Sequence, residues 1–266
     1  MPSYKAPVAD TMFLLTDVFA LRRYENLPRF ADAQIDVVEA VLSEGGKLAE
    51  EVLQPLNLPG DLEGCKRLPD GSVVTPKGFK EAYKAYVEGG WVGIAGSQTY
   101  GGQGLPHFLS VALNEYALAA NLAFTMYPAL TKGATDALLA HGDEALKGRF
   151  LPKMTTGEWT GTMNLTEPHC GTDLGLIKTR ASRQDDDSFA ISGQKIFISA
   201  GEHDLSENII HLVLARIEGA PSGVKGISLF LVPKFLSTTT DRWPTETRCR
   251  AVRSNTRWES TATRPA

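Results

Sequence analysis

The first part of the chain carries apolar side chains at helical spacing. Large apolar residues recur every three or four positions over residues 10–24 and again over residues 32–53, and this period predicts an amphipathic helix in each segment. Thr75 and Pro76 have the residue types of an N-cap and a first helical position, so we expect the next helix to begin there.

Helical spacing continues over residues 106–157, with a break expected near Pro128, and gives way to alternation after Trp159. Four later segments alternate apolar and polar residues and are separated by Gly, Asp and Ser, a pattern typical of antiparallel strands. These segments are residues 160–165, 187–199, 208–218 and 225–234.

The two patterns together predict an α+β protein in which an all-helical domain precedes a small antiparallel β-barrel or β-sandwich domain. We place an N-terminal extension helix, the helical domain, the β-domain and a tail at residues 1–35, 36–158, 159–236 and 237–266. The tail has eight Thr and two Trp but no Gly, Ile or Phe, and its Thr, Ser, Arg and Pro predict disorder.

Composition narrows the classes of function. The chain has 266 residues and a net charge of −4, so it does not have the basic balance typical of proteins that bind nucleic acid. Its three cysteines lie far apart and form no CxxC pair, which argues against a disulfide framework and against a zinc site. No segment has the pattern of a membrane span or of a secretory signal, so the expected location is the cytoplasm.

The most informative stretch is MNLTEPHCGTDLG, residues 163–175, in which a predicted strand ends in a polar turn. Gly171 permits a close backbone approach, and the turn can present N–H groups and short hydroxyls to a flat polar ligand. The alternative is a tight polar turn with no binding role. The stretch taken by itself favours this alternative. The glycine-rich YGGQG at residues 100–104 follows no strand, so we interpret it as a buried turn between helices and not as a phosphate-binding loop.

The context of this stretch changes the interpretation. YGGQGLP precedes it and GQKIFISAG follows at residues 193–201, and in this order and spacing the motifs resemble those of the acyl-CoA dehydrogenase family of flavoenzymes. The resemblance extends from about residue 36 to Lys234, and the additional N-terminal helix is similar to that of a long subfamily that includes methylthiopropanoyl-CoA dehydrogenase. It implies the same helical domain and β-domain. In the family a C-terminal helical bundle follows, which we expect to be absent here.

The resemblance implies a cofactor, FAD, and the residues that contact it. We expect Thr166 to hydrogen-bond the pyrimidine edge of the flavin, Phe197 to pack against the ring and Ser199 to approach its N5 atom. Gly171 and Thr172 are expected between the flavin and the thioester of acyl-CoA, so Thr172 also contacts the substrate. In full, the expected cofactor contacts are Met163, Leu165, Thr166, Gly171, Thr172, Phe197, Ile198 and Ser199.

By the same resemblance the reaction is the α,β-dehydrogenation of an acyl-CoA thioester, with electron transfer flavoprotein as the usual acceptor. Removal of the α-proton needs a carboxylate. Glu167 lies in the motif, but the family's base comes from its C-terminal bundle, so we expect Glu167 to have a structural role and name no catalytic residue. That bundle also supplies most of the homo-oligomer interface of the family.

The histidines are weak candidates for metal-binding or catalytic residues. His169 lies beside Cys170 but lacks a second pair of ligands, so we expect no metal site. His211 lies in a predicted strand and is expected to be paired or exposed, and His203 has no stronger claim to a catalytic role.

The composition changes abruptly after Leu236, and a change of reading frame accounts for it. If one base is lost just after Leu236, codons chosen for residues 254–266 can be read in the shifted frame as EHKMGIHGNPTC, which resembles the long subfamily. Because most codons are free choices, this shows compatibility only, and the alternative is a native disordered tail. We expect a chain without the bundle to have little or no dehydrogenase activity. The rival hypothesis is a non-catalytic fragment or a flavin- or acyl-CoA-binding module.

Overall fold

The protein, described by a computed structural model, forms two compact units. The first contains the chain up to Gly64 together with Pro76–Glu158, and the second contains Cys65–Thr75 together with the chain from Trp159 onward. Among the described residues, no helix combines the length and apolar character that a bilayer span requires. The structure describes residues 3–185, 188–235, 247–253 and 257–262, the last two ranges as backbone only.

The first unit is built from helices, which confirms the predicted helical region. Its α-helices are α1 (Val8–Phe13), α2 (Ile35–Lys47), α3 (Asn57–Glu63), α4 (Phe79–Glu88), α5 (His107–Ala120), α6 (Leu122–His141) and α7 (Glu144–Thr156). α1 and α2 continue as π-helical segments at Leu14–Val18 and Leu48–Leu53. Short 3₁₀ turns occur at Leu21–Tyr24, Gln54–Leu56 and Gln98–Tyr100.

An aromatic cluster lies in the core of the helical unit. Phe124 is fully buried, and its ring centroid lies 5.8 Å from Phe79, 6.4 Å from Tyr83 and 6.0 Å from Tyr86. Aromatic pairs at these distances contribute about 0.5–1.5 kcal/mol each beyond the burial of their surface. Asn121 caps α6 because its side-chain oxygen accepts the N–H of Phe124 at 3.0 Å.

Two helix boundaries differ from the prediction. α4 begins at Phe79 and not at Thr75, and its N-cap is Gly78 in the left-handed region at φ 89°. Thr75 instead belongs to the second unit, where its hydroxyl and N–H donate to the Asp204 carboxylate at 2.7 and 3.0 Å. α6 passes through Pro128 without a break. Pro128 is buried, and its packing offsets the loss of the one hydrogen bond that proline removes.

The second unit is built from strands. β1 (Lys66–Arg67) and β2 (Val73–Val74) form a hairpin of their own. A seven-stranded sheet has the order β3-β6-β4-β5-β9-β8, and β7 pairs with β6. Its strands are β3 (Trp159–Asn164), β4 (Arg180–Arg183), β5 (Phe189–Ile196), β6 (Asn208–Ile217), β7 (Ile227–Pro233), β8 (Thr247–Arg253) and β9 (Arg257–Ala262). Strands β4, β5, β6 and β7 contribute the side chains of a buried apolar cluster, Ala181, Ile191, Val213, Ala215 and Val232.

Two pairings correct the prediction of an antiparallel sheet. β3 and β4 both run parallel to β6, whereas β4–β5, β5–β9, β6–β7 and β8–β9 are antiparallel. Alternation with period two shows which residues share a face of a strand but does not specify the direction of the strand. β4 and β5 lie between β3 and β6 in the sequence. This connection is long enough for β6 to run in the same direction as β3.

Part of the predicted tail is paired in the structure. β8 and β9 form an antiparallel pair, and β9 also pairs with β5 in a register that places Lys195 opposite Trp258. The structure thus describes strand pairing for these two segments, and the disorder expected from composition stays a prediction for the tail as a whole. Pairing with β9 engages N–H and C=O groups of β5 that would otherwise lie at an open sheet edge, and segments that contain Thr, Val and Trp suit such a pairing. The other residues of the tail lie outside the described residues.

Candidate functional site

The residues predicted to contact a cofactor lie where β3 and β5 end, in the second unit. The N–H of Ile196 donates to the carbonyl of Thr166 at 2.9 Å, and this bond joins the two sequence motifs. We call residues 165–173 the Glu167 turn and residues 197–201 the Phe197 loop. The structure therefore places the two segments side by side, although about thirty positions separate them in the sequence.

The predicted cofactor contacts differ in exposure. The Phe197 side chain is 72% exposed and that of Met163 is 39% exposed. Ile198 is 2% exposed, so its side chain belongs to the core and only its backbone can face a ligand. The other exposed members of the set are Gly171, Thr172 and Ser199, and the half-buried members are Leu165 and Thr166.

A buried carboxylate organises the Glu167 turn. Glu167 accepts the Lys195 ammonium at 2.9 Å, the N–H and hydroxyl of Thr179 at 3.0 and 2.5 Å, and the N–H of Lys178 at 2.8 Å. Lys195 also donates to the carbonyl of Leu165 at 2.9 Å. Four donors occupy the acceptor positions of this carboxylate. Three of the donors share Oε1 and the fourth lies on Oε2, so the contacts support a structural role for Glu167 in holding the turn.

Burial and hydrogen bonding oppose each other in setting the pKa values of this pair. Burial alone would raise the pKa of the Glu167 carboxyl, but the hydrogen bonds from Thr179, Lys178 and Lys195 hold that pKa below its usual value. Burial lowers the pKa of the Lys195 ammonium, and the Glu167 carboxylate offsets part of this shift. A carboxylate with a lowered pKa is a weak base, so Glu167 is poorly suited to remove an α-proton.

Glu167, His169 and Cys170 offer potential metal-ligand atoms within 4.8 Å of one another. However, the Lys195 ammonium already lies against the carboxylate of Glu167. The Nε2 atom of His169 lies 2.9 Å from the carbonyl of Leu176 and 3.5 Å from a Glu167 oxygen. A cation at this position would face the positive charge of Lys195, so the donor set does not fit a metal ion.

The Glu167 turn presents unused donors. Glu167 and Cys170 exchange N–H···O bonds at 2.8 and 3.1 Å, which closes a tight turn. Within the described part of the chain, the N–H groups of Gly171, Thr172 and Asp173 have no hydrogen-bond acceptor. Consecutive free N–H groups create a local positive potential that can bind polar atoms of a ligand.

The Phe197 loop has a strained backbone. Phe197 and Ala200 have φ of 56° and 52°, in the left-handed region that residues with a Cβ rarely adopt. Each costs about 1–2 kcal/mol. Between them, the carbonyl of Ser199 accepts the hydroxyl of Thr162 at 2.7 Å. Strain of this kind concentrates at functional sites, where the surrounding structure holds it in place.

Two buried histidines lie in the same unit. The Nδ1 atom of His203 accepts the N–H of Leu205 at 3.1 Å, and its Nε2 lies 3.1 Å from the hydroxyl of Thr160. His211 is fully buried in β6, so the exposed alternative predicted for it is wrong. Burial lowers the pKa of both histidines to about 3, so both are uncharged at neutral pH.

In the helical unit, the YGGQG segment is hydrogen-bonded to the backbone of the residues that precede it. The N–H of Gly104 donates to the carbonyl of Gly96 at 3.0 Å, and the N–H of Gln103 donates to the carbonyl of Gly93 at 2.9 Å. Gly101 and Gln103 are exposed. The segment is therefore a turn between helices, but the prediction that it is buried is wrong.

The helical unit also contains a cavity that the sequence does not predict. Its volume is about 360 Å³, and its lining includes Tyr86, Trp91 and Leu113 together with the ion pair of Lys132 and Asp136. Helical spacing shows which side chains face inward, but not where the helices leave a void between them. The lining mixes apolar and charged groups, so it defines no single class of ligand.

Two family models match the chain. The acyl-CoA dehydrogenase N-terminal domain matches residues 73–158, and the acyl-CoA dehydrogenase middle domain matches residues 162–255. The chain belongs to the acyl-CoA dehydrogenase family. This confirms the resemblance inferred from the two motifs, and the second match continues beyond Leu236.

Individual relatives agree with this assignment. The 3-methylmercaptopropionyl-CoA dehydrogenase of Ruegeria pomeroyi is 46% identical over 235 residues, covering 88% of this chain and 40% of that protein. A butyryl-CoA dehydrogenase of Syntrophomonas wolfei is 40% identical over 237 residues, covering 88% of this chain and 39% of that protein. The crystal structure of an acyl-CoA dehydrogenase complexed with FAD from Bacillus anthracis is similar in fold, with a TM-score of 0.60, 23% identity, and coverage of 79% of this chain and 33% of that chain. The chain thus spans about 40% of the length of the curated relatives it matches.

Proposed function

We propose that the Glu167 turn and the Phe197 loop hold the flavin of FAD in an acyl-CoA dehydrogenase. The observation that carries the proposal is the 2.9 Å bond from Ile196 to Thr166, because it brings free backbone donors and an exposed aromatic ring to one place. The related protein of known structure from Bacillus anthracis contains FAD, and the relative from Ruegeria pomeroyi acts on an acyl-CoA by its name.

The residues at the site fit a flat ligand with polar edges. The ring of Phe197 is 72% exposed, and packing against a flavin would remove that apolar surface from water. A Cβ added to Gly171 would meet only the Cγ2 atom of Thr166, at the ordinary contact distance of 3.5 Å. The described chain therefore gives no internal reason for glycine here, whereas a ligand that approaches the backbone closely would give one.

The proposed contacts have different tasks. The hydroxyl of Thr166 binds the pyrimidine edge of the ring, the hydroxyl of Ser199 donates near N5, and Met163 and Leu165 line the ring. Thr172 contacts the thioester of the substrate. When bound, FAD supplies the acceptor for the hydride that leaves the β-carbon of the acyl group. Donors fixed before the reaction stabilise the negative charge that develops on the ring at little cost in reorganisation.

The removal of the α-proton is not assigned to a residue of this chain, because four donors already engage Glu167. Family membership supports an acyl-CoA substrate. We also propose electron transfer flavoprotein as electron acceptor and a cytoplasmic location, and we do not extend the homo-oligomeric assembly expected of the family to this chain. For the 266-residue chain on its own we propose FAD binding with little or no dehydrogenase turnover.

Titration of FAD fluorescence with the purified chain tests the proposal. We expect saturable quenching, and we expect Phe197→Ala to weaken FAD binding about tenfold through the loss of ring packing. Phe19→Ala is the matched control, because Phe19 is a phenylalanine of the helical unit that is 60% exposed. A chain that leaves FAD fluorescence unchanged, or equal losses in the two variants, would contradict the proposed site.

An assay with acyl-CoA thioesters and an artificial electron acceptor separates the remaining alternatives. Turnover by the purified chain would refute the proposed lack of activity. Binding of acyl-CoA without binding of FAD would instead favour an acyl-CoA-binding module.

A further inference from the structure

Strand β3 carries a row of buried polar side chains. Thr160, Thr162 and Asn164 occupy alternate positions, so they lie on one face of the strand. Their exposed fractions are 0%, 0% and 2%. Burial of a hydroxyl costs free energy unless it is hydrogen-bonded, so the two threonines of the row need partners within the unit.

The hydrogen-bond partners of these threonines lie in the segment that follows β5, and the hydroxyl of Thr160 also lies 3.3 Å from the carbonyl of Asn208, the first residue of β6. The hydroxyl of Thr162 donates to the carbonyl of Ser199 at 2.7 Å. The hydroxyl of Thr160 lies 3.1 Å from the Nε2 atom of His203 and 2.9 Å from the hydroxyl of Ser206. The row on β3 therefore binds this segment at two separate points, one in the Phe197 loop and one after it.

The bonds around Thr160 do not involve the Phe197 loop. Nδ1 of His203 accepts the N–H of Leu205, so in the neutral ring Nε2 carries the proton and donates to Thr160. Ser206 donates in turn to the carbonyl of Asn208 at 2.8 Å. A change at Thr160 thus removes a buried hydroxyl from the same face of β3 without touching Ser199.

The bond from Thr162 acts on a strained backbone. Ser199 lies between Phe197 and Ala200, the two residues with left-handed φ. Left-handed residues of this kind persist only where the surrounding structure fixes them. The carbonyl of Ser199 and the buried side chain of Ile198 are the points at which the described structure holds the middle of the loop.

We propose that Thr162 is a positioning residue for the Phe197 loop. Its hydroxyl holds the carbonyl of Ser199 and so directs the ring of Phe197 and the hydroxyl of Ser199 toward the flavin. The inference rests on the proposed FAD site and adds to it a residue that does not itself touch the cofactor. Thr162 acts only through the backbone of Ser199.

Three substitutions test this role in the full chain. Thr162→Val removes the hydroxyl and keeps the branched shape, Thr162→Ser keeps the hydroxyl, and Thr160→Val removes the neighbouring hydroxyl. We expect Thr162→Val to raise the Kd for FAD about tenfold, to shift the absorption maximum of bound flavin and to speed amide hydrogen exchange in residues 197–201. We expect Thr162→Ser and Thr160→Val to keep the wild-type Kd within about threefold.

An unchanged Kd in Thr162→Val would overturn the inference, and so would equal losses in Thr162→Val and Thr160→Val. If Thr162→Val does not fold, Thr162→Ala takes its place, and a loss of affinity in Thr162→Ser as large as in Thr162→Ala would also overturn it. Failure of the proposed function gives a different result, because the wild-type chain would then not bind FAD at all. Amide exchange in residues 197–201 then decides separately whether Thr162 holds the loop, and equal exchange in wild type and Thr162→Val would refute that.

Discussion

The Glu167 turn and the Phe197 loop lie side by side but are stabilised in different ways. The turn surrounds a buried ion pair between Glu167 and Lys195, and none of its residues has a positive φ. The loop has two left-handed residues and is held at its middle by one neutral hydroxyl, that of Thr162, together with the buried side chain of Ile198. These differences indicate that the turn is the more rigid part of the site and that the backbone of the loop rearranges more easily.

The largest effect is expected from Lys195→Met. This change leaves the carboxylate of Glu167 buried without its positive partner, and breaking such a pair from one side costs about 3–5 kcal/mol. Urea unfolding of the purified chain measures the loss. The double variant Lys195→Met/Glu167→Gln removes the uncompensated charge and should recover a large part of the stability. A loss below about 1 kcal/mol in the single variant would show that the ion pair does not organise the turn.

A smaller effect is expected from the buried histidines as pH falls. The pKa of His203 is about 3 in the folded protein and near 6.5 in the unfolded chain, so the unfolded state binds more protons between these values. Stability therefore falls as pH drops below 6.5, by about 2 kcal/mol per buried histidine between pH 7 and pH 5. The charged groups that act on His203 are Lys234, which lowers its pKa further, and Asp204, which opposes the shift.

In the same pH series, Glu167 affects stability in a lower pH range than the buried histidines do. Its pKa is lowered on folding, so its contribution is present above pH 4.5 and is lost only as pH falls below that value. Between pH 6.5 and 4.5 the loss should come mainly from the histidines. Urea midpoints of wild type and His203→Gln measure this, and the variant should have a flatter profile. Identical slopes would contradict the lowered pKa of His203.

The smallest effect is expected from relief of strain in the loop. Ala200→Gly removes the Cβ that opposes φ of 52° and should stabilise the chain by about 1 kcal/mol or less, because glycine also gains freedom in the unfolded state. Ala85→Gly in the interior of α4 should instead destabilise the chain by about 1 kcal/mol. Urea unfolding compares the two variants. Destabilisation by both substitutions would argue against strain at Ala200.

Much of the fold could be predicted from hydrophobic spacing. Strands β3, β5, β6 and β7 are six or more residues long and rich in apolar residues, and the structure contains each of them. β4 has four residues and β1 and β2 have two each, which is too short for a clear period. The parallel direction of β3 and β4 against β6, and the start of α4 after a left-handed Gly78, depend on tertiary contacts that spacing does not report.

The site was predicted only in part. The two motifs pointed to the turn and the loop, and the structural role of Glu167 followed from the family resemblance. No feature of the sequence indicates the left-handed conformations of Phe197 and Ala200, because such positions usually carry glycine or asparagine. The role of Thr162 also could not be predicted, because a buried threonine in a strand has no distinctive spacing and its partner Ser199 is distant in the chain.

Amide hydrogen exchange of the purified chain with and without FAD tests the central claim most directly. The account predicts slower exchange with FAD in residues 163–173 and 197–199 and unchanged exchange in helices α4 to α7. Unchanged exchange in both segments, or protection confined to the helical unit, would contradict the claim that these two segments hold the flavin.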